Sequence, residues 1–191
     1  MSILLFFFIS SCNEEAAISP KPRGFPKVDY PQKSYQGFTK GYCDFTFEYP
    51  TYAKIEKDEY FFGEKPRNEC WFDVFIPQFD ARIHWTYSAI DKIFTADKLK
   101  TDAFELAHKH NIKAKYIEEL KIATPNGAKG FAFDMEGEVA SPYQFFLTDE
   151  KEHFVRGSLY FNTEVAPDSL APVFDFVKKD IEHMINTFKW K

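Results

Sequence analysis

The chain has 191 residues, the length of one ordinary domain and enough to bury a sizeable core. Hydrophobic residues make up 45% of it and aromatic residues 19%, with 23 Phe and 10 Tyr, so the composition excludes a disordered chain and predicts an aromatic core. The formal net charge of -5 provides no basic field for phosphates, which disfavours nucleic acid and anionic lipid headgroups as direct partners.

Residues 1–11 are typical of an export signal. The run Ile3–Ile9 is apolar but far shorter than the roughly 20 residues that a membrane-spanning helix needs. The segment Ile9–Cys12 matches a lipobox, in which small side chains admit signal peptidase and the thiol accepts diacylglycerol. The sequence therefore predicts cleavage before Cys12 and a lipid anchor on Cys12. A plain secretory signal is the alternative, because no Lys or Arg precedes the apolar run.

Residues 12–36 are predicted to form a tether followed by an extended strap. Asn13, Glu14 and Glu15 resemble the surface-export signal of lipoproteins in Bacteroidetes, and a solvated tether explains them equally well. Between residues 19 and 36, four prolines alternate with basic residues, which favours polyproline II structure. Apolar residues in the second half of the segment predict that it lies against the domain: Phe25, Val28, Tyr30 and Tyr35.

Two cysteines remain after Cys12 is assigned. Cys43 and Cys70 each stand just before an apolar run, and an exported chain meets oxidising conditions. A disulfide between them requires Cα atoms about 5.5 Å apart, and two buried free thiols are the alternative. No CxxC spacing occurs, so the sequence supports neither thiol redox catalysis nor a zinc knuckle.

Residues 37–191 are predicted to form a single α+β domain, a central antiparallel sheet flanked by helices. Apolar residues alternate with period two in several runs, and short Pro-containing connections cannot carry a parallel crossover. Helical spacing marks two further segments, the first ending at Asn111 in a left-handed stop followed by a hydrophobic contact from Ile112. The second helix carries Pro172, which is tolerated in a first turn. Strands are predicted near residues 45–49, 71–76, 82–87, 130–138 and 153–161, and helices near 97–110 and 170–188.

The sequence contains few candidates for catalytic or metal-binding residues. His108 and His110 lie on different sides of a helix and cannot chelate one metal. His84 is either a base in a cleft or, as we favour, a hydrogen-bonded structural residue. Ser158 follows a glycine but lacks the flanking pattern of a nucleophile elbow. The sequence therefore predicts no catalytic residue, no metal site and no cofactor.

A row of carboxylates is the remaining candidate. Asp134, Glu136 and Glu138 alternate along one predicted strand and could bind a hard cation. We favour a solvated strand face in which Arg156 is the cross-strand partner.

Six fragments follow one another in a recognisable order: Pro20–Phe25, Val28–Pro31, Phe47–Ala53, Cys70–Val74, Arg156–Phe161 and Asp168–Val173. In this order they resemble the gliding motility lipoprotein GldD family of Bacteroidetes. The resemblance covers nearly the whole mature chain, and each fragment alone is weak. The resemblance implies an envelope lipoprotein required for gliding motility and type IX secretion, with the membrane protein GldE as an expected partner. The family has no agreed catalytic residues, so the resemblance implies none in this chain. The element order also resembles the PsbP/Mog1-type αβα sandwich, a likeness of fold only.

Two functions therefore stay open. The first is a non-catalytic accessory or assembly lipoprotein that acts through protein contacts, facing either the periplasm or the cell surface. The second is an envelope enzyme or ligand-binding module with a cleft near His84 or the Asp134 row.

Overall fold

A computed structural model describes residues 27–57, 63, 65–163, 165 and 167–191. Cys12 and the signal segment lie outside this part of the chain. The described part contains the following elements: β1 Tyr35–Phe38, β2 Phe45–Pro50, β3 Lys54–Glu56, β4 Phe72–Ile76, β5 Ala81–Ala89, α1 Ala96–His108, β6 Ala114–Ala123, β7 Lys129–Gly137, β8 Tyr143–Thr148, β9 His153–Phe161, α2 Pro167–Thr187 and β10 Lys189–Trp190.

Seven strands form one antiparallel sheet in the order β3-β4-β5-β9-β8-β7-β6, and a smaller sheet has the order β1-β2-β10. Each predicted strand and helix is present near its predicted position, but the strand predicted at 45–49 is β2 of the small sheet, so its prediction as part of the central sheet is wrong. The small sheet begins at Tyr35, inside the segment predicted to be the strap.

The two helices cover opposite faces of the large sheet, because neighbouring strand residues point to opposite faces. On β9, Val155 belongs to the buried cluster under α2 and Phe154 to the cluster under α1. The α2 cluster is the larger and is rich in stacked rings, such as Phe47 on Trp85 with centroids 4.7 Å apart. The predicted α+β fold with a flanked antiparallel sheet is confirmed.

The end of α1 and the start of α2 both differ from the sequence prediction. After α1 the chain continues in a 3-10 turn, Lys109–Ile112, instead of a left-handed stop at Asn111. Ile112 is 91% exposed, so the predicted hydrophobic contact is wrong as well. At the other helix, Pro167 occupies the first position, where a missing N–H costs little, and Pro172 therefore falls in the second turn. Among the described residues, neither helix is long and apolar enough to cross a membrane.

Candidate functional site

A buried carboxylate on α2 holds the described end of the strap. Asp180 is fully buried, and its oxygens accept hydrogen bonds from Lys33 Nζ at 2.6 Å, Tyr35 OH at 2.9 Å and Tyr52 OH at 2.7 Å. A buried carboxylate is stable only when it is paired and hydrogen-bonded, and three donors meet that requirement. We call Asp180 with these three donors the strap seat.

Ring contacts extend the strap seat along α2. The Tyr30 ring lies 4.9 Å from Phe176, and the Lys33 ammonium lies 3.7 Å from the centre of the same ring. Tyr35 stacks on His183 with centroids 3.6 Å apart. The described part of the strap, residues 27–36, therefore lies against the domain as predicted, and Phe25 lies outside the described residues.

The strap seat also changes the ionisation of its two tyrosines. Burial raises the pKa of Tyr35 and of Tyr52 above the ordinary value, and the hydrogen bond to Asp180 and its negative charge raise both further. Both phenols therefore stay protonated as donors well above neutral pH.

Cys43 and Cys70 stand before β2 and β4, which belong to different sheets. The two sulfurs are bonded in the structure, and the Cα atoms are 5.7 Å apart across a sequence separation of 27. A disulfide here would tie the small sheet to the large one. Oxidation of this pair in the envelope stays a prediction.

A row of polar residues crosses the α1 face of the large sheet. Asp73 is fully buried and lies 2.5 Å from His84 Nδ1 and 3.3 Å from an Arg82 nitrogen. Arg82 also binds Glu56 at 2.8 Å. The next strand places Ser158 directly opposite His84 in the register. These contacts give His84 the hydrogen-bonded environment of a structural histidine.

The predicted row of three carboxylates on one strand is wrong, because Asp134 and Glu136 lie on β7 whereas Glu138 follows the end of that strand. Asp134 forms an ion pair with Lys178 of α2. Burial opposes the charge on Lys178, but the hydrogen bond and charge of Asp134, together with the charges of Glu182 and Glu118, outweigh burial and raise the pKa of that amine. Arg156 instead donates to Gln144 at 2.8 Å, so its predicted pairing with the carboxylate row is wrong. The described residues include no group of three or more potential ligands placed to hold a metal ion.

The two histidines near the end of α1 have separate surroundings. His108 Nε2 lies 2.7 Å from a Glu119 oxygen on β6. His110 falls in the following 3-10 turn, where burial, and then the charge of Arg156, lower its pKa. They do not form a joint site.

A pocket of about 330 Å³ opens between the N-terminal half of α2 and the β6 and β7 end of the sheet. Its volume is at the lower end of the range for small-ligand sites. Carboxylates of Glu118, Asp134 and Glu136 border it. Most of the lining is apolar and includes Met135, Val139, Pro142, Phe161, Leu170 and Phe174.

Sequence reasoning missed the strap seat and the pocket. Asp180 had a visible signal, because a charged residue stands within the apolar stripe that includes Val177, Ile181 and Met184. Such a residue requires buried partners. The pocket had no comparable signal, because its walls come from segments far apart in sequence.

Comparisons with known proteins agree with this architecture. The solution structure of cyanobacterial PsbP (CyanoP) from Synechocystis sp. PCC 6803 matches with a TM-score of 0.51 and 14% sequence identity, over 91% of this chain and 100% of that one. This likeness supports the PsbP-like fold and nothing more. No curated protein matches the chain. The family described as gliding motility lipoprotein GldD matches residues 15–190, which is most of the chain. A lipoprotein is held at a membrane by lipid, so this match assigns the protein to the cell envelope. The chain belongs to the gliding motility lipoprotein GldD family.

Proposed function

We propose that the protein is an anchored, non-catalytic assembly factor of the gliding and type IX secretion machinery, acting through contacts with envelope proteins such as a GldE-like membrane protein. In this proposal residues 1–11 are removed, Cys12 carries the lipid, residues 12–36 are tether and strap, and residues 37–191 are the globular domain. The observation that carries the proposal is the strap seat. It binds Lys33 and Tyr35 of the strap to α2. A linker that served only as a spacer would not need such binding.

The strap seat supports a positional role for the anchor. From Cys12 to Lys27 the chain has 15 residue steps, and at roughly 3.5 Å per step it cannot reach further than about 50 Å. Because the strap is bound along α2, the domain would be held within that distance of the membrane. Tethering of this kind raises the effective concentration of a domain near a membrane partner.

The test separates anchoring from folding. Cys12→Ala should leave thermal unfolding unchanged, because Cys12 precedes the strap and the core, while gliding and secretion of a type IX cargo should fail or weaken. Full motility with a soluble, unlipidated Cys12→Ala protein would reject the proposal. Membrane fractionation and protease treatment of intact cells would report the membrane and the side on which the domain stands.

One observation favours a second candidate, an envelope enzyme or ligand-binding module. Asp73, His84 and Ser158 stand side by side on three neighbouring strands, and they are the residue types of a hydrolytic triad. Ser158, however, is only 5% exposed and lies within a strand, whereas a nucleophile elbow presents its serine on an exposed turn. His84→Gln should keep gliding if contacts are the mechanism. Loss of gliding in a folded His84→Gln protein, together with labelling of Ser158 by a fluorophosphonate, would favour the enzyme.

A further inference from the structure

The outermost strand β6 leaves one edge of the large sheet open. It has ten residues and pairs with β7 on one side, and no other described strand pairs with it. β3, at the opposite edge, has three residues. An open edge presents rows of unpaired N–H and C=O groups, and proteins usually keep such strands short or cover them. β6 is therefore an available template for another extended segment.

Apolar side chains are exposed along the same strand. Tyr116 is 61% exposed and Leu120 is 36% exposed. Both belong to the α2-facing side of β6, since their register partners are Glu136 and Ala132. Val165, near the start of α2, is 47% exposed. Exposed apolar residues grouped in this way mark interaction surfaces more often than scattered ones do.

The open edge continues into the pocket. Tyr116 and Glu118 of β6 are part of the pocket lining, opposite Leu170 and Phe174 of α2. A strand added to β6 would direct alternate side chains toward the α2 side of the sheet. One of those side chains would stand beside the mouth of the pocket.

The charges around the pocket select the partner. Lys178 forms an ion pair with Asp134 and is also influenced by the charge of Glu118, so this one cation faces the three carboxylates of Glu118, Asp134 and Glu136, and the pocket border stays negative. Near the same site, burial and then the charges of Glu182 and Asp134 raise the pKa of Tyr143, as a negative field would. A complementary segment therefore carries Lys or Arg beside an apolar residue.

We propose that β6 and the adjoining pocket form a docking site for an extended basic and apolar segment of another protein. Its main chain would pair with the free edge of β6, an apolar side chain would enter the pocket, and a Lys or Arg would meet Glu118 and Glu136. Main-chain pairing supplies affinity in such complexes, and the pocket and charges supply specificity. This deepens the contact-based function proposed above, on which it rests.

The test measures peptide binding to the purified full chain in detergent by fluorescence anisotropy. The probe is a fluorescent peptide about as long as β6, with lysine and leucine two residues apart on one face and threonine at the positions between them. Both side chains then point to the α2 side, where Glu118, Glu136 and the pocket lie. One control peptide has glutamate in place of lysine, and the other is N-methylated along one edge so that it cannot pair. Both controls should bind at least about tenfold more weakly than the probe. Equal binding of either control would overturn the proposal.

Three variants locate the site. Glu118→Lys should weaken binding of the basic probe by about tenfold or more, and Ala171→Trp, which fills the pocket, should do the same. Glu105→Lys, an equal charge change on exposed α1, should leave binding unchanged. If Ala171→Trp does not fold, Glu118→Lys still decides the question, because its side chain is on the surface. Equal loss in Glu105→Lys would indicate nonspecific charge and overturn the proposal.

A second copy of the chain is the competing occupant. If a second copy occupied β6, the full chain would sediment as a dimer that Tyr116→Lys dissociates. We expect no such dimer, and observing one would overturn the proposal. The outcomes are separable from those of the motility test. Loss of gliding in Cys12→Ala with intact peptide binding would uphold the anchor and the site together, whereas absent peptide binding would remove the site and leave the anchored role standing.

Discussion

Replacing Asp180 by alanine removes the acceptor on which the strap seat depends. The carboxylate is fully buried and accepts three hydrogen bonds. A hydrogen bond to a charged group contributes about 1.5 to 3 kcal/mol, and removing one partner of a buried ion pair costs about 3 to 5 kcal/mol. The contacts are not additive because they share one acceptor. Lys33 is 28% exposed, so its ammonium regains some water. We therefore expect Asp180→Ala to lower the free energy of unfolding by about 3 kcal/mol.

Urea unfolding of the full chain, followed by tryptophan fluorescence, measures this loss. Asp175→Ala is the matched control, since Asp175 is exposed on the same helix and should change stability by no more than about 0.5 kcal/mol. A double-mutant cycle with Lys33→Met should give a coupling energy of about 1 kcal/mol or more. Trypsin should also cleave after Lys33 faster in Asp180→Ala. An Asp180→Ala protein as stable as the control would refute the argument that the seat holds the strap.

Three further predictions concern the disulfide, the core and alkaline pH. The oxidised domain should change electrophoretic mobility on reduction, and Cys43→Ser with Cys70→Ser should cost about 2 to 4 kcal/mol; free labelling of both thiols in unfolded, unreduced protein would end this idea. Phe133→Ala should lower the free energy of unfolding by about 3 to 5 kcal/mol, because Phe133 is fully packed under α1; a loss below about 1 kcal/mol would contradict that packing. The raised pKa values of Tyr35 and Tyr52 mean that their contribution to stability is complete below the ordinary value of 10.0 and is lost as pH rises above it. Stability measured at about pH 9 and about pH 11 should therefore fall less in Tyr35→Phe with Tyr52→Phe than in the wild type, and an equal fall would argue against the coupling.

Elements with a strong local period could be predicted from the sequence. Alternation at Phe72, Val74 and Ile76 placed β4, because one face of that strand is buried against α2. The apolar stripe from Val173 to Phe188 has helical spacing and predicted α2, because one face of that helix is buried. Burial on one face sets both patterns, so they are visible without knowing the partner.

Features that depend on distant partners could not be predicted. Asp180 meets donors 128 to 147 residues away in sequence, and no local pattern encodes such a pairing. The prediction for the end of α1 was wrong for a related reason. Asn111 and Ile112 have the composition of a left-handed cap, but the chain turns directly into β6, which continues from Ala114. At this point the position of β6 in the sheet outweighs the local sequence preference for a left-handed cap.

The strap and the proposed docking site use opposite flanks of α2. Phe176 contacts the strap, and Phe174 lines the pocket. Two residues apart on a helix means a rotation of about 200°, so the two side chains point in nearly opposite directions. None of residues 27–36, the described part of the strap, lines the pocket. In the proposed anchored state, residues 27–36 lie on one flank of α2 and the pocket opens on the other, so the anchor would leave the docking edge accessible. A partner in the same membrane would then meet that edge at a raised effective concentration, which favours association without any additional contact.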